Sequence, residues 1–379
     1  MRRQHYEAGH EEYRSAFRGF LQREVVPRQE RWLAQGIVDR DVWRSAGEHG
    51  FLLPWAEERH GGLGLTGFRY EQVLIEELAA IGETGLAIPL HSAVVAPYLA
   101  AHGTPEQRDR WLPGAVSGDV VLALAITEPG TGSDVAGMTT RAERDGDHWV
   151  LTGSKTFISN GVHADLVIVA ARTDPEQRHA VGLFLVEAGA PGFARGRKLD
   201  KLGLRSQDTA ELFFDGVRVG PEGVLGDPAR GFGAIMGMFA QERLTVAAGC
   251  VAGAEAALGL AVEHAKGREA FGRPLAKFQD TRFRLAQMRT EVDVARAFVD
   301  RCALAHEVGD LGPADAAEAK LFASEVLGRV ADEAVQIHGG TGFMWEHPVC
   351  RAYADARVQR IYAGTSEIMK EIIGRALLG

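Results

Sequence analysis

Residues 122–137 read LALAITEPGTGSDVAG, and the rest of the chain is organised around them. An apolar run, Ala123, Leu124, Ala125 and Ile126, breaks at Pro129, Gly130 and Gly132 into a turn that carries Thr127, Ser133 and Asp134. The run reads as the end of a buried strand, stopped by proline and glycine. Small residues past a strand end let main-chain N–H and C=O groups approach a flat ligand, and the hydroxyls and the carboxylate add polar partners. Alone, the stretch reads equally well as an ordinary strand with a polar turn.

Working outward, the texture differs on the two sides. Residues 1–120 place apolar positions at helical spacing: Phe17, Phe20, Leu21 and Val25; then Val42, Trp43 and Ala46; then Tyr70, Val73, Leu74 and Leu78. Thr104-Pro105-Glu106-Gln107 is a helix start, with a hydroxyl cap, proline at the first position and glutamine in the capping-box place. The glycine-rich HGGLGLTG at 60–67 follows no strand and lacks dinucleotide spacing, so it reads as a tight loop. Residues 121–228 turn to short alternating runs, HWVLTGSKTFIS, ADLVIVAART, AVGLFLVEA and AELFFDGVRV, which predict an antiparallel sheet folded as a small sandwich or barrel. Residues 229–379 return to long amphipathic segments, 232–266, 278–308, 313–337 and 349–378 with a break near 362–365, and these predict a four-helix bundle. The expected fold class is therefore α+β, with a β domain between two helical ones.

The chain has 379 residues, 46% of them apolar, enough for two or three cores. A net charge of -9 and a pI near 5.8 argue against nucleic acid and anionic membrane as partners. No apolar run stands out as a membrane span. The start, MRRQHYEAGHEEYR, has two arginines with no apolar region after them, which is not a secretory pattern, and the cytoplasm is the expected compartment. Cys250, Cys302 and Cys350 are odd in number and widely spaced, and read as reduced residues in or near the core. The histidines, His338 included, show no metal-ligand spacing, so no metal is expected.

One carboxylate is out of pattern. Ile235, Phe239, Val246 and Cys250 form an apolar stripe on the first long C-terminal helix, and Glu242 lies on that stripe. It faces either the interior or a pocket wall, where desolvation raises its pKa. A structural pairing with the adjacent Arg243 and a catalytic role both fit that position.

Five blocks carry a family resemblance. AITEPGTGSDVAG, GSKTFISNG at 153–161, REAFGRPLAKFQ at 268–279, QIHGGTGFMWEHPVCRAYAD at 336–355 and IYAGTSEIMKEIIGRA at 361–376 resemble, in order, the signatures of the acyl-CoA dehydrogenases, which are FAD-dependent flavoproteins. The resemblance implies that Leu124, Ile126, Thr127, Gly132 and Ser133, with Phe157, Ile158 and Ser159, lie along the flavin ring. Phe157 stands where the family often has Trp, and Ser159 where it often has Thr. It implies that Arg268, Phe271 and Gln279 contact the pyrophosphate and adenosine of a neighbouring subunit's FAD, with Gln336, Gly339 and Gly340 on the other side of that site. A tetramer built through the helix bundle is implied as well.

The same resemblance assigns the chemistry. Many members place the α-proton-abstracting base in a Tyr-Glu-Gly-Thr block, which here reads Tyr362-Ala363-Gly364-Thr365. Alanine cannot take a proton. Long-chain and isovaleryl-CoA members place the base in a Glu-Arg pair on the earlier helix, matched here by Glu242-Arg243. The resemblance gives the Ala363 N–H, beside the flavin ribityl 2'-OH, the task of binding the thioester carbonyl, and gives Ser133, Arg243 and Gly364 substrate contacts. Ala240 replaces an aspartate that several relatives use for the same purpose. Thr365 and Glu367 fall near the flavin; Glu367 sits in a first helical turn, where the macrodipole favours its anion and makes it a poor base. The implied reaction turns a saturated acyl-CoA into the trans-2-enoyl-CoA, with electrons leaving to an electron-transferring flavoprotein. The alternatives are a fold-mate acting on an acyl-carrier-protein thioester, a flavin monooxygenase or oxidase, and a non-catalytic flavin binder. Chain length is assigned no farther than a pocket floor expected from a helix over 84–95, bent at Pro89.

Overall fold

The computed structural model describes residues 3–379, so Arg2 of the amino-terminal reading lies outside the described residues. Helices α1 (Ala8–Phe20), α2 (Gln29–Gln35), α3 (Asp41–Glu48), α4 (Phe68–Ala80), α5 (Ala96–His102) and α6 (Pro105–Ser117) form the first layer. Their aromatic and aliphatic stripes, including Phe17, Phe20, Trp43 and Leu74, meet in one core. The start of α6 carries the expected capping box: Thr104 Oγ1 accepts from the Gln107 N–H at 3.2 Å, and Gln107 Oε1 accepts from the Thr104 N–H at 2.9 Å. Residues 60–67 form a loop apart from one short 3-10 turn and the entry to α4.

The expected helix over 84–95 is only half present. Residues 83–87 are irregular, and Leu90–Val95 wind as a π-turn that runs into α5. Pro89 sits in the first turn, where a missing N–H costs nothing, so the widening at this point comes from the π-turn rather than from a proline kink.

The middle layer is one eight-stranded sheet: β1 (Leu122–Ala125), β2 (Arg141–Asp145), β3 (His148–Ser159), β4 (Leu166–Arg172), β5 (Val181–Glu187), β6 (Phe193–Lys198), β7 (Thr209–Val219) and β8 (Val224–Leu225). The spatial order is β6-β7-β3-β2-β4-β5-β8, with β1 beside β4. Pairing is antiparallel except on β4, which β2 joins in parallel through Arg141 opposite Arg172, and beside which β1 runs parallel from Leu122 opposite Leu166 to Ala125 opposite Val169. The β1 pairing follows from topology: β1 enters from the helical layer and cannot reach β4 by a hairpin. Leu166–Ala171 is apolar at every position because β4 is covered on both faces. Leu166, Ile168 and Ala170 join the core of the amino-terminal helices, whereas Val167, Val169 and Ala171 join a second core with Leu151, Phe184 and Phe214.

The carboxy-terminal layer holds α7 (Gly231–Gly267), α8 (Gln279–Glu307), α9 (Pro313–His338), α10 (Pro348–Ala356) and α11 (Ser366–Leu378), the last two separated by a turn over 361–365. Contrary to the sequence reading, α7 is long and apolar enough, by length and composition, to cross a membrane. Its apolarity has a local use: Leu244, Ala247, Ala254, Ala257 and Ala261 pack against Ala323, Val326 and Ala334 of α9 and Val292 and Val299 of α8. The three cysteines are free, with Cys250 and Cys302 buried.

Glu71 of α4 is buried, and neither carboxylate oxygen has a partner among the described residues; burial pushes its pKa up to about 8. A folded-state pKa above the unfolded value favours folding of the protonated form. The stability it confers is whole below the unfolded value of about 4.3 and drains as pH rises toward 8, by up to about 1.4 kcal/mol per pH unit. Calorimetric Tm values for Glu71→Gln should accordingly fall less than those of the parent between those limits; identical pH slopes would refute the assignment.

Candidate active site

The strand-end turn is fastened by a buried ion pair. Lys155 Nζ, on β3, donates to Glu128 Oε1 and to the Ile126 carbonyl, both at 2.8 Å. Glu128 also accepts from the Thr139 N–H and Oγ1 and from the Thr140 N–H. Burial opposes the Glu128 anion, but Lys155 and these donors more than offset it and hold the carboxyl at about 2. Burial brings Lys155 down to about 8. A buried pair is retained at a desolvation cost, so its value here lies in geometry. It joins residues 126–128 to β3, a linkage completed by the Thr156 N–H donating to the Thr127 carbonyl at 2.9 Å.

Just beyond, the β3–β7 register shifts between Lys155 and Ile158. The bulge puts Phe157 at φ 59° and turns its ring outward, 66% exposed. Ile158 points the other way, into the sheet core, so only its backbone is free to meet a ligand. Leu124, Ile126 and Thr127 are partly exposed on the same strand end, and Gly132 and Ser133 are exposed. A Cβ on Gly132 would meet no atom of this chain within 4 Å, so packing within the chain does not explain this glycine. An outward aromatic ring, bare strand-end backbone and an open glycine fit a flat, extended group such as FAD.

A cavity of about 860 Å³ lies between α4, the 83–94 segment, α7 and α10. Glu242, Ala363, Tyr362 and Ser159 line it together, so the structure brings the sequence-predicted base, the Ala363 turn and the end of β3 to one space. Along α7 its wall continues through Val246, Gly249, Gly253 and Ala256 to Leu260, about 27 Å at 1.5 Å per residue, and toward that far end the charged Glu255, Arg296 and Glu76 line it as well. Ile75, Leu78, Ala87, Leu90 and Val94 close the other side. Two carboxyls seal the seam between layers: Glu83 accepts from Gly85 and Leu86 N–H and Ser206 Oγ, and Asp355 from Leu204 N–H and Thr84 Oγ1.

Glu242 is half-buried on the wall of this cavity. Burial pushes its pKa up to about 7, with Arg243 and Lys320 pulling the other way. It forms no ion pair with Arg243, whose buried guanidinium lies over Phe239, 5.2 Å from the ring centroid, with Nε unpartnered and off the cavity wall. The structural-pairing reading of Glu242 is thereby removed. Ala363 adopts φ 52° and Gly364 φ 93°, and the Ala363 N–H has no acceptor among the described residues. Thr365 caps α11, accepting from the Ile368 N–H at 3.3 Å, and the exposed Glu367 in its first turn has a lowered pKa, through its own backbone N–H and Thr365.

Arg268, Phe271 and Gln279 lie at the opposite end of α7, about 39 Å along the helix from Glu242 to Arg268, too far to share its site within one chain. Phe271 is 96% exposed at φ 51°. The exposed Gln336, Gly339 and Gly340 belong to that same end, where the His264 and His338 rings lie 4.2 Å apart. His338 Nδ1 bonds the Ala334 carbonyl at 2.7 Å, and no acidic, His or Cys cluster among the described residues could hold a metal. The sequence reading missed Glu128, Lys155 and Lys320. The signal available was a Glu and a Lys inside two recognised blocks, and a Lys on an otherwise apolar helix face.

Comparison with known proteins finds three matching family patterns. They are described as the acyl-CoA dehydrogenase N-terminal domain over residues 7–119, middle domain over 123–217 and C-terminal domain over 229–378. The chain is 45% identical over 377 residues to the long-chain specific acyl-CoA dehydrogenase, mitochondrial, of Sus scrofa, covering 98% of this chain and 87% of that one. A crystal structure of an acyl-CoA dehydrogenase from Geobacillus kaustophilus superposes with a TM-score of 0.97 at 44% identity, covering 99% of this chain and all of that one. A glutaryl-CoA dehydrogenase from Mycobacterium smegmatis, in complex with FADH2, superposes at 0.92 with 28% identity, covering 99% and 96%.

Proposed function

Because this chain belongs to the acyl-CoA dehydrogenase family, we propose that it oxidises a saturated acyl-CoA to the trans-2-enoyl-CoA with Glu242 as the base. The observation that carries the reading is a carboxyl with a pKa near 7, unpaired among the described residues, on the wall of a cavity it shares with the Ala363 N–H. An α C–H of a thioester is a weak acid, so the base must be poised near neutrality and the enolate oxygen must be met by a donor. Glu242 removes and holds the α-proton. Ala363 N–H binds the thioester oxygen, and the apolar wall keeps water from the reacting carbons. FAD, when bound, supplies the acceptor for the β-hydride.

Leu124, Ile126, Thr127, Gly132, Ser133, Phe157, Ile158, Ser159, Thr365 and Glu367 belong to the cofactor side in this proposal. Arg268, Phe271, Gln279, Gln336, Gly339 and Gly340 serve a neighbouring subunit's cofactor, which calls for a homotetramer and accounts for the exposed Phe271. Ser133, Arg243 and Gly364 are assigned to the CoA thioester, with Arg243 needing to leave Phe239 to reach it. Electrons pass to an electron-transferring flavoprotein, and the compartment is the cytoplasm. CoA esters are favoured over carrier-protein thioesters by the names of the relatives.

The cavity's length along α7 supports long acyl chains. Anaerobic bleaching of the visible flavin band by a panel of saturated acyl-CoAs tests this: long chains should bleach it fastest, and bleaching by none would reject the reading. Gly249 stands about 10 Å along α7 from Glu242, and a Cβ there would meet only Ile75, at 3.8 Å. Gly249→Leu should block the passage at that depth. Displacing three or four methylenes at about 0.8 kcal/mol each lowers kcat/KM for long chains about a hundredfold, with short chains nearly unaffected. An equal loss at all lengths would place the chain elsewhere.

A further inference from the structure

Lys320 of α9 is fully buried and donates from Nζ to the Gly364 carbonyl at 2.6 Å. Lys155, the other fully buried lysine, has a carboxylate at 2.8 Å; Lys320 has none at ion-pair distance among the described residues. Its burial is therefore costly, and that carbonyl is the one acceptor it bonds among the described residues. The groups facing it are Cys250, Arg243 and Glu242 of α7 and Glu367 of α11. The carbonyl belongs to the second of two consecutive left-handed residues, Ala363 and Gly364. A Cβ is disfavoured in that conformation, so the turn persists only because its surroundings fix it.

We infer that Lys320 is a positioning residue: its bond to Gly364 holds the turn that presents the Ala363 N–H to the thioester oxygen, and its charge sits behind Glu242. The assignment rests on the function proposed above. Burial brings Lys320 to about 8, so it is still a cation at neutral pH. The groups facing Glu242 are Arg243 on its own helix, Lys320 from α9, Tyr98 from α5 and Tyr362 from the 361–365 turn. Removing the Lys320 cation raises the Glu242 pKa and moves the acid limb of the rate profile to higher pH.

The test compares holoenzymes of the parent, Lys320→Met and Lys320→Gln. Lys320→Met should reduce its flavin at least about tenfold more slowly, because a loosened turn misplaces the donor. Its acid limb should lie at higher pH. Its equilibrium affinity should fall for a 2-enoyl-CoA, which has the carbonyl, and stay unchanged for an S-alkyl-CoA thioether, which lacks it. Lys320→Gln keeps a donor without the charge, so it should recover rate while keeping the shifted limb. If Lys320→Met yields no holoenzyme, Lys320→Gln alone decides the charge's role: an unmoved acid limb in it overturns the inference. A parent-like rate, limb and enoyl-CoA affinity would overturn the inference, as would affinity lost equally for both ligands with the limb unmoved. The parent reaction run alongside separates failure of the proposed function from failure of this assignment.

Discussion

Glu242→Gln keeps its FAD, binds long-chain acyl-CoA with near-parental affinity, and reduces its flavin at least about 10³-fold more slowly; that is the largest effect expected of any single substitution here. The amide fills the same volume on the cavity wall but cannot accept the α-proton. No nearby group substitutes. Glu367 lies in the first turn of α11 with a lowered pKa, Ala363 has no acid, and Glu83 and Asp355 are spent on backbone and hydroxyl donors at the layer seam. Stopped-flow anaerobic reduction reads the rate, and the spectral shift on binding reads the affinity. In the parent, kcat/KM should rise with pH through about 7, because burial raises Glu242 and only its ionised form is the base. A Gln variant that reduces flavin at the parental rate would move the base to another residue.

The second large effect concerns one N–H. Ala363→Pro deletes it, but proline is locked near φ -65° and the residue sits at φ 52°, so that variant would break the turn as well. An amide-to-ester exchange at Ala363 removes the donor and leaves the shape. Loss of one oxyanion donor costs about 10²–10³ in rate, and the exchange should lower flavin reduction by that factor with little change in thioether affinity. Ala363→Gly, which keeps the N–H and suits the left-handed turn, should retain parental rates. If the ester is as fast as the amide, the thioester oxygen is bound by something else.

Much of this was legible in periodicity. The stripe that marks Glu242, the four long segments with a break near 362, and the Thr104 cap each depend on residues three or four apart on one helix, and all three are in the structure. What stayed hidden depends on register between distant segments. Glu128 and Lys155 meet only because β3 lies beside the strand-end turn, and Lys320 meets Gly364 across two elements. The outward Phe157 comes from a bulge that alternation alone cannot place. The apolarity of α7 was underrated because alanine and glycine packing in a bundle and a membrane span satisfy the same composition. Whether Glu242 was paired with Arg243 was likewise undecidable from adjacency, since neighbours on a helix point some 100° apart.

The β4 strand sends alternate side chains into two cores, one of which it shares with the amino-terminal helices. Those helices and the sheet are thus not separable modules. A crossover between α6 and β1 pairs one parent's helices with the other's β4 face, and one near residue 229 parts Phe68 and Ile75 of α4 from the α7 core they join and Ile235 of α7 from the amino-terminal core, so either exposes mismatched apolar surface. As a unit of inheritance, the chain has no clean internal joint where sequence texture marks two.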